Sequence, residues 1–402
     1  LMIGDGLGDS EITIARNYAV GASGRLNIDR VPLTGAVTTH SVEEDEPDTP
    51  NYLPDSAPTA TAWSTGAKTS NGRISTTPGT DRDLTTLLEL AQARGLRVGN
   101  VTTSELTDAT PAAAMAHISA RGCQGPLNMS ACAADLKSAG GPGSIAEQAA
   151  DSGIDVLLGG GRARFDQVIP PGQPNAGRTP LQTADAQGYS VVTDAAGLQA
   201  ARPGTPLLGL FTAGNMSVDW TGLPAARPAS GPQVCQEDQR PADEPSLADM
   251  TTRALELLQA PGRGGRKPGF FLQVESASID KRNHVSQPCE QIGETMQLDE
   301  AVGVALDFAE ANPDTLVILT GDHAHTSQIV GADQEVPGFA SKLTTADGAV
   351  MQVSYGTGTT PVGQSHTGSQ IRVAAQGPQA ANVIGVIDQT DLFRIMRRAL
   401  RL

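Results

Sequence analysis

Carboxylates and imidazoles recur at short spacings in the second half of the chain. Asp280 and His284 lie four residues apart, a spacing that places both side chains on one face of a helical turn. Asp322 and His323 follow an apolar run that predicts a buried strand, and His325 comes two residues later. Oxygen and nitrogen ligands in such groups are typical of zinc sites. Taken singly, each group could instead be a surface ion pair or a turn.

Two further carboxylates follow predicted buried strands. Asp5 lies among glycines, which allow the backbone to approach a ligand, although a glycine-rich turn capped by an aspartate has the same pattern. Glu275 directly follows the apolar run of residues 270–274. Because a buried carboxylate is costly without a cation, we expect positive charge near Glu275.

Ser56 precedes an Ala- and Thr-rich segment that predicts a buried helix. At the N-terminus of that helix, free backbone N–H groups and the helix dipole would favour a phosphate. An ordinary N-cap at Asp55 or Ser56 would produce the same pattern. The remaining histidines, His40 and His117, have no ligand-like neighbours in sequence, and we expect structural roles for both.

Motifs of three other enzyme classes fail. Lys68 follows an alanine rather than the glycine that a Walker motif requires, and residues 159–161 lack the dinucleotide-binding pattern. No serine lies in a Gly-x-Ser-x-Gly elbow, which disfavours a metal-free serine hydrolase.

The charge balance limits the classes of partner. The formal net charge is −16, from 44 acidic and 28 basic residues, and such a surface repels nucleic acid. An anionic substrate would need local positive charge, which bound divalent cations could supply. No apolar run approaches the ~20 residues of a membrane span. We therefore predict no nucleic-acid partner and no membrane span.

The cysteine pattern predicts an oxidising compartment. The four cysteines form no Cys-x-x-Cys pair and lie in polar segments, which fits two disulfides in a periplasmic or secreted protein. Three pairings are open, and we prefer Cys123 with Cys132 and Cys235 with Cys289. The chain opens on the residues of a buried strand, so we expect a signal peptide and further residues to precede Leu1.

Short apolar runs alternate with helical patterns, which predicts an α/β fold with a large central, mostly parallel sheet flanked by helices on both faces. Strands are predicted at residues 98–101, 156–158, 270–274 and 316–319. Helices are predicted at residues 85–94 with Asp83 as N-cap, 111–121 with Thr110 as N-cap, and 391–400. Residues 170–178 and 223–245 are predicted loops, and residues 1–402 a single domain with small insertions.

The segment from Asp55 to Ala62, followed by Trp-Ser-Thr-Gly, resembles the nucleophile segment of bacterial alkaline phosphatases. Other segments match that family in the same order: those around Asp5, Asp108-Ala-Thr110-Pro, Glu275 to His284, Asp322-His323 and His366-Thr-Gly-Ser. The match runs from Leu1 to the C-terminal helix. The resemblance implies the fold of that family, hydrolysis of diverse small phosphate monoesters, and a homodimer.

The resemblance also implies residue roles. Ser56 would form a covalent phosphoserine, Arg121 would bind the phosphate, Asp55 would orient Arg121, and Lys281 would reach the phosphate through water. Two zinc ions and one magnesium ion are implied. The first zinc site would comprise Asp280, His284 and His366. The second would comprise Asp322 and His323, with Asp5 bridging towards the magnesium site. Magnesium would bind Asp5, Thr110 and Glu275, with Asp108 behind them, and His325 would support the metal ligands without binding a metal itself.

Three alternatives stay open from the residues alone. A phosphodiesterase or sulfatase could share this fold, although the arginine of a sulfatase Ser-x-Pro-x-Arg motif is missing after Ser56. A metal- or phosphate-binding protein without turnover and a serine esterase are the other two. The chain departs from the family pattern at Pro58 and in the acidic run of residues 43–46.

Overall fold

The structure is a computed structural model that describes residues 1–259 and 269–402. Its strands are β1 (Met2–Gly4), β2 (Leu33–Thr38), β3 (Ser41–Val42), β4 (Pro50–Asn51), β5 (Arg97–Glu105), β6 (Val156–Gly160), β7 (Ser190–Val192), β8 (Leu207–Leu210), β9 (Ser230–Gln233), β10 (Phe270–Ser276), β11 (Val317–Gly321), β12 (Gln328–Val330), β13 (Phe339–Thr344), β14 (Val350–Tyr355), β15 (Ile371–Gln376) and β16 (Gly385–Asp388).

The α-helices are α1 (Asp9–Val20), α2 (Ser56–Thr65), α3 (Leu87–Ala93), α4 (Ala109–Ala112), α5 (Ile145–Asp151), α6 (Arg162–Phe165), α7 (Pro180–Ala186), α8 (Ala195–Ala200), α9 (Leu247–Gln259), α10 (Ser278–His284), α11 (Pro288–Ala311) and α12 (Gln389–Ala399). The chain forms two compact units. The first comprises Leu1–Thr39, Ser217–Pro241 and Glu275–Ile387, and the second comprises His40–Met216, Ala242–Val274 and Asp388–Leu402.

The main sheet of the first unit places two acidic residues side by side. Its strands lie in the order β16, β2, β15, β11, β1. β1 is parallel to β11, and the register pairs Gly4 with Gly321. Asp5 and Asp322 therefore leave the carboxyl ends of adjacent parallel strands, where open α/β sheets carry their ligand sites.

A smaller sheet of the first unit, in the order β12, β14, β13, β9, packs near a disulfide. Cys235 and Cys289 are bonded in a buried cluster that includes Tyr18 and Leu343. The second unit contains the other bond, between Cys123 and Cys132, so both preferred disulfides are present.

The main sheet of the second unit has the strand order β10, β5, β6, β8, β7. β6 is parallel to β5 and β8, and β7 is parallel to β8, as the α/β pattern predicts. All four predicted strand runs fall on observed strands, although β11 begins at Val317, one residue after its predicted start. No described helix has both the length and the apolar character that a membrane crossing requires.

Small residues make α2 a buried helix. Every residue from Ser56 to Ser64 is buried, because alanine, serine and threonine side chains let neighbouring elements approach closely. Trp63 is the large exception, and its indole N–H donates to Gln273 Oε1 at 3.1 Å. Gly66 ends the helix in the left-handed conformation, with φ of 75°. The predicted buried helix that begins at Ser56 is confirmed.

The helix predicted over residues 111–121 is wrong beyond its first turn. α4 ends at Ala112, and residues 113–115 form a turn. Ile118 exchanges two backbone hydrogen bonds with Ile74, at N···O distances of 3.1 and 3.0 Å. These contacts with a distant segment replace the helical hydrogen bonds, so Arg121 lies in a loop rather than on a helix.

Two predicted N-caps are also wrong. Thr86, not Asp83, caps α3: Thr86 Oγ1 accepts from Glu89 N–H at 3.2 Å, and Glu89 Oε2 accepts from Thr86 N–H at 2.8 Å. Asp108, not Thr110, caps α4, because its Oδ1 accepts from the next backbone N–H at 2.8 Å. The two reciprocal hydrogen bonds between Thr86 and Glu89 form a capping box, which identifies Thr86 as the N-cap of α3.

Two smaller boundary predictions are corrected. The predicted loop over residues 223–245 contains β9, which pairs with β13 and so becomes a short strand. The C-terminal helix, predicted at residues 391–400, is α12 and begins at Gln389, because Asp388 accepts from Thr390 N–H at 2.9 Å and caps it. Residues 170–178 form the predicted loop.

Candidate active site

One group of potential metal ligands lies where β1 and β11 end. Asp5, Asp322 and His323 are fully buried, and one ligand atom from each lies within 4.8 Å of the others. His323 Nε2 is 3.2 Å from Asp322 Oδ2 and 3.6 Å from Asp5 Oδ1. The backbone N–H of Gly6 donates to Asp322 Oδ1 at 2.8 Å. This hydrogen bond leaves Asp322 Oδ2 facing His323 Nε2.

A second group surrounds Asp280 at the start of α10. The Nε2 atoms of three imidazoles lie near Asp280 Oδ1, at 3.3 Å for His284, 3.0 Å for His325 and 3.2 Å for His366. The predicted four-residue spacing of Asp280 and His284 does place both on one face of a helix. The structure adds His325 to the residues predicted for this group.

Hydrogen bonds to the second ring nitrogen fix the roles of these imidazoles. His284 Nδ1 faces Gln364 O, and His323 Nδ1 lies 3.3 Å from Ala324 O, so each Nδ1 carries the proton and each Nε2 offers a lone pair. His325 is the reverse case, because its Nδ1 accepts the backbone N–H of Thr326 at 2.8 Å. Its Nε2 therefore carries a proton towards Asp280 and is not a ligand atom.

The Asp280 group fits a divalent cation. His284 Nε2 and His366 Nε2 face each other at 3.1 Å, and both lie within 3.3 Å of Asp280 Oδ1. Four ligands on a tetrahedral zinc with bonds of ~2.0 Å lie about 3.3 Å apart, the spacing seen among these atoms. Asp280 Oδ1, His284 Nε2 and His366 Nε2 are thus spaced as three of the ligands of one zinc ion would be.

Burial and charge make the acidic cluster costly without a cation. Burial and the neighbouring Asp322 raise the pKa of Asp5 well above its usual value, and Asp280 and Glu275 raise it further. Burial opposes ionisation of Asp280 too, but the facing imidazoles hold its pKa well below the usual value. The ionised carboxylates need positive charge, which a divalent metal supplies.

Glu275 and Lys281 complete the predicted residues of the first unit. Glu275 lies at the end of β10 and is 1% exposed, and the neighbouring Ser276 O accepts from Asp5 N–H at 3.0 Å. Lys281 is partly buried on α10 directly after Asp280, and its charge lowers the pKa of Asp5 against the effects of burial and the neighbouring acids.

Ser56 lies in the second unit as the first residue of α2. Asp55 caps the helix, because its Oδ1 accepts from Ala57 N–H at 2.9 Å. Ser56 is 3% exposed and follows the cap directly. Its hydroxyl therefore lies at the helix end where backbone N–H groups and the dipole favour an anion.

Arg121 is held between two carboxylates of the second unit. Its Nη2 donates to Asp108 Oδ1 at 2.8 Å, and its Nη1 lies 3.6 Å from Asp55 Oδ2. Thr110 lies two residues after Asp108, and its buried Oγ1 has no hydrogen-bond partner. An unsatisfied buried hydroxyl is costly, and a cation ligand role would remove that cost.

Sequence patterns missed the groups that orient these side chains. Gln364 acts on His284 through its backbone carbonyl, and Gly72 acts on Asp55 through its N–H, which donates to Asp55 Oδ1 at 3.2 Å. No side-chain type signals such backbone contacts. His40 and His117 contact Asp388 and Glu89 respectively, so both take structural roles.

Comparisons with known proteins agree over the whole chain. The profile of the family described as Alkaline phosphatase matches residues 1–365 and 359–402. The streptomycin-6-phosphate phosphatase of Streptomyces griseus is 52% identical over 406 residues, covering 100% of this chain and 90% of that protein. The alkaline phosphatase of Escherichia coli (strain K12) is 50% identical over 417 residues, covering 100% of this chain and 85% of that protein.

Solved structures share the fold. The Thermus thermophilus alkaline phosphatase aligns with a TM-score of 0.71 at 24% identity, covering 100% of this chain and 90% of that one. The cold-active enzyme of a psychrophilic Shewanella gives a TM-score of 0.73 at 24% identity, covering 99% and 98%. The predicted fold class, a large and mostly parallel sheet flanked by helices, is confirmed. Because the family profile and both relatives extend over the full length, the chain belongs to the alkaline phosphatase family and is a hydrolase of phosphate monoesters.

Proposed function

We propose that the chain hydrolyses phosphate monoesters through a covalent phosphoserine on Ser56. The observation that carries the proposal is the position of Ser56, at the N-terminus of a buried helix and directly after Asp55, whose carboxylate lies 3.6 Å from Arg121. A hydroxyl, an anion-binding helix end and a guanidinium thus occur in one unit. Together they support nucleophilic attack on a bound phosphate.

Ser56 exchanges one ester for another. Its hydroxyl loses a proton to solvent and its Oγ forms a bond to phosphorus as the bond to the leaving oxygen breaks, while the departing alkoxide takes a proton from solvent and leaves as the alcohol. Water then attacks the phosphoserine, which releases inorganic phosphate and returns the hydroxyl. The backbone N–H groups at the start of α2 face the charge that spreads over the phosphate oxygens.

Arg121 binds and orients the phosphate. A planar guanidinium can donate to two non-bridging oxygens at once, which a lysine cannot do. Asp108 fixes one edge of this guanidinium at 2.8 Å. We assign Asp55 the role of limiting its rotation, and Lys281 a contact with the phosphate through water.

The two ligand groups would hold two zinc ions, one on Asp280, His284 and His366 and one on Asp5, Asp322 and His323. Thr110 and Glu275 would complete a magnesium site with Asp5, with Asp108 behind them. Bound divalent metals would act as Lewis acids that stabilise negative charge on the attacking and leaving oxygens. His325 would orient Asp280 rather than bind metal, as the proton on its Nε2 supports.

Substrate range, compartment and assembly are further parts of the proposal. We expect broad use of phosphate monoesters, because none of the proposed roles requires recognition of the alcohol. Two disulfides support a periplasmic or secreted protein. A homodimer, and a single catalytic domain that includes both compact units, are proposed from the family resemblance.

Acid quenching tests the covalent step. The enzyme is mixed with radiolabelled p-nitrophenyl phosphate, denatured in acid within one turnover and digested for peptide mapping. We expect label on Ser56, none in Ser56→Ala, and retained label in Ser64→Ala, a matched change in the same helix. Rapid turnover of the monoester by Ser56→Ala, or faster turnover of the bis-ester than of the monoester by wild type, would contradict the proposal.

A further inference from the structure

A turn at residues 70–73 contacts the segment that carries Ser56. Asn71 Nδ2 donates to Leu53 O at 3.0 Å, and Asn71 Oδ1 accepts from the backbone N–H of Asp55 at 3.3 Å. Asn71 therefore binds the backbone of the two residues that flank Pro54, and the second of these, Asp55, directly precedes Ser56. The position of this turn influences where α2 begins.

The same turn also contacts Arg121. Gly72 N–H donates to Asp55 Oδ1 at 3.2 Å, and Gly72 O accepts from Arg121 N–H at 2.7 Å. Gly72 has a φ of +84°, a conformation that glycine adopts without strain. One residue, Gly72, thus links the cap of the nucleophile helix to the backbone of the phosphate-binding arginine.

A buried arginine anchors the turn. Arg73 Nε and Nη2 donate to the two oxygens of Glu44 at 2.7 and 2.5 Å, and Nη1 donates to Asp81 Oδ1 at 2.5 Å. The Arg73 side chain is only 11% exposed. Two parallel hydrogen bonds between a guanidinium and a carboxylate fix direction as well as distance.

Glu44 holds both ends of the turn. Besides Arg73, it accepts from Ser70 Oγ and from Gly79 N–H, the latter at 3.1 Å. The hydrogen bonds from Arg73 lower the pKa of Glu44 to about 2, so the carboxylate is ionised at any pH suited to an assay. Residues 70 and 73 are therefore tied to a single charged group, and the residues between them carry the contacts to the site.

We propose that the Glu44–Arg73 pair is a positioning device, which fixes the turn at residues 70–73 and thereby sets Asp55 and Arg121 relative to Ser56. This inference rests on the function proposed above. Placement errors of about 1 Å at a catalytic group can cost ~100-fold in rate, so a remote anchor of this kind has a kinetic effect. Neither Glu44 nor Arg73 is assigned a contact with the phosphate.

Kinetic constants distinguish positioning from simple stability. We expect Arg73→Ala to raise both KM for p-nitrophenyl phosphate and the inhibition constant of inorganic phosphate by about tenfold, because Arg121 loses its orientation. Partial unfolding would lower only the apparent kcat. Glu44→Gln, which keeps size but removes charge, should act in the same direction. Arg73→Lys should give an intermediate effect, because an ammonium cannot form two parallel bonds.

Arg16 provides the matched control. It makes a similar two-point pair with Asp29, at 2.8 and 2.5 Å and 17% exposed, in the other unit. Arg16→Ala should lower the melting temperature and leave KM and phosphate inhibition unchanged. Wild-type constants in folded Glu44→Gln and Arg73→Lys, or an equal rise in Arg16→Ala, would overturn the inference. Absence of labelled phosphoserine in wild type would instead overturn the proposed function.

Discussion

At the scale of single residues, the proton on each imidazole decides what the ring can do. His284 and His325 both lie within 3.3 Å of Asp280 Oδ1, so distance alone does not separate a ligand from an orienting residue. The hydrogen-bond partners of the two Nδ1 atoms do separate these histidines. Gln364 O accepts a hydrogen bond from His284 Nδ1, whereas Thr326 N–H donates one to His325 Nδ1. Two histidines at similar distances from the same carboxylate oxygen therefore have different roles.

This difference predicts the zinc content of two variants. His284→Ala should lose roughly one zinc ion per chain, because it removes a proposed zinc ligand. His325→Ala should keep the zinc stoichiometry and weaken zinc affinity ~10- to 100-fold, because it removes only an orienting group. Atomic emission on desalted protein and competition with a fluorescent chelator measure the two quantities. Equal zinc loss in both variants would refute the assignment of protons.

At the scale of elements, a histidine ties α3 to the loop that leads towards Arg121. His117 Nδ1 lies 3.0 Å from Ser75 O, and His117 Nε2 lies 3.0 Å from Glu89 Oε1 on α3. Burial lowers the pKa of His117, but the hydrogen bonds to Glu89 and Ser75 O and the negative charges of Glu89 and Asp83 together raise it above its ordinary value. Burial likewise raises the pKa of Glu89, yet the hydrogen bonds from His117 and Thr86 and the charge of His117 together bring it below its ordinary value.

The two shifts predict a pH window for the stability that this pair contributes. The His117 contribution is fully present below pH 6.5 and is lost as pH rises through its folded pKa. The Glu89 contribution is fully present above pH 4.5 and is lost as pH falls through its folded pKa. His117→Gln should therefore lower the urea midpoint most near about pH 5.5 and least near about pH 9. A deficit that does not vary between these values would contradict the pairing.

Local patterns predicted the elements that carry the site better than the ends of those elements. Apolar runs predicted β5, β6, β10 and β11, and the four-residue spacing predicted the helical turn of Asp280 and His284, because both signals are local. The end of α4 depends on Ile118 and the distant Ile74, so no local pattern reveals it.

At the scale of the whole molecule, residues far apart in sequence form each ligand group. Asp5 and Asp322 are 317 positions apart, and the parallel register of β1 and β11 brings them together. Local sequence patterns identified Asp5 and Asp322 separately as candidate metal ligands. The prediction that they belong to one site came from the family resemblance. Backbone partners such as Gln364 O carry no side-chain signal and came only from the structure.

The proposed function depends on two buried groups of carboxylates and imidazoles, each of which would bind one divalent metal. The direct measurement is an anomalous difference map of zinc-loaded crystals, with data collected on both sides of the zinc absorption edge. The account predicts one strong peak bounded by Asp280, His284 and His366 and a second bounded by Asp5, Asp322 and His323. Fully loaded crystals in which the zinc peaks lie elsewhere, or in which neither group has a peak, would contradict it.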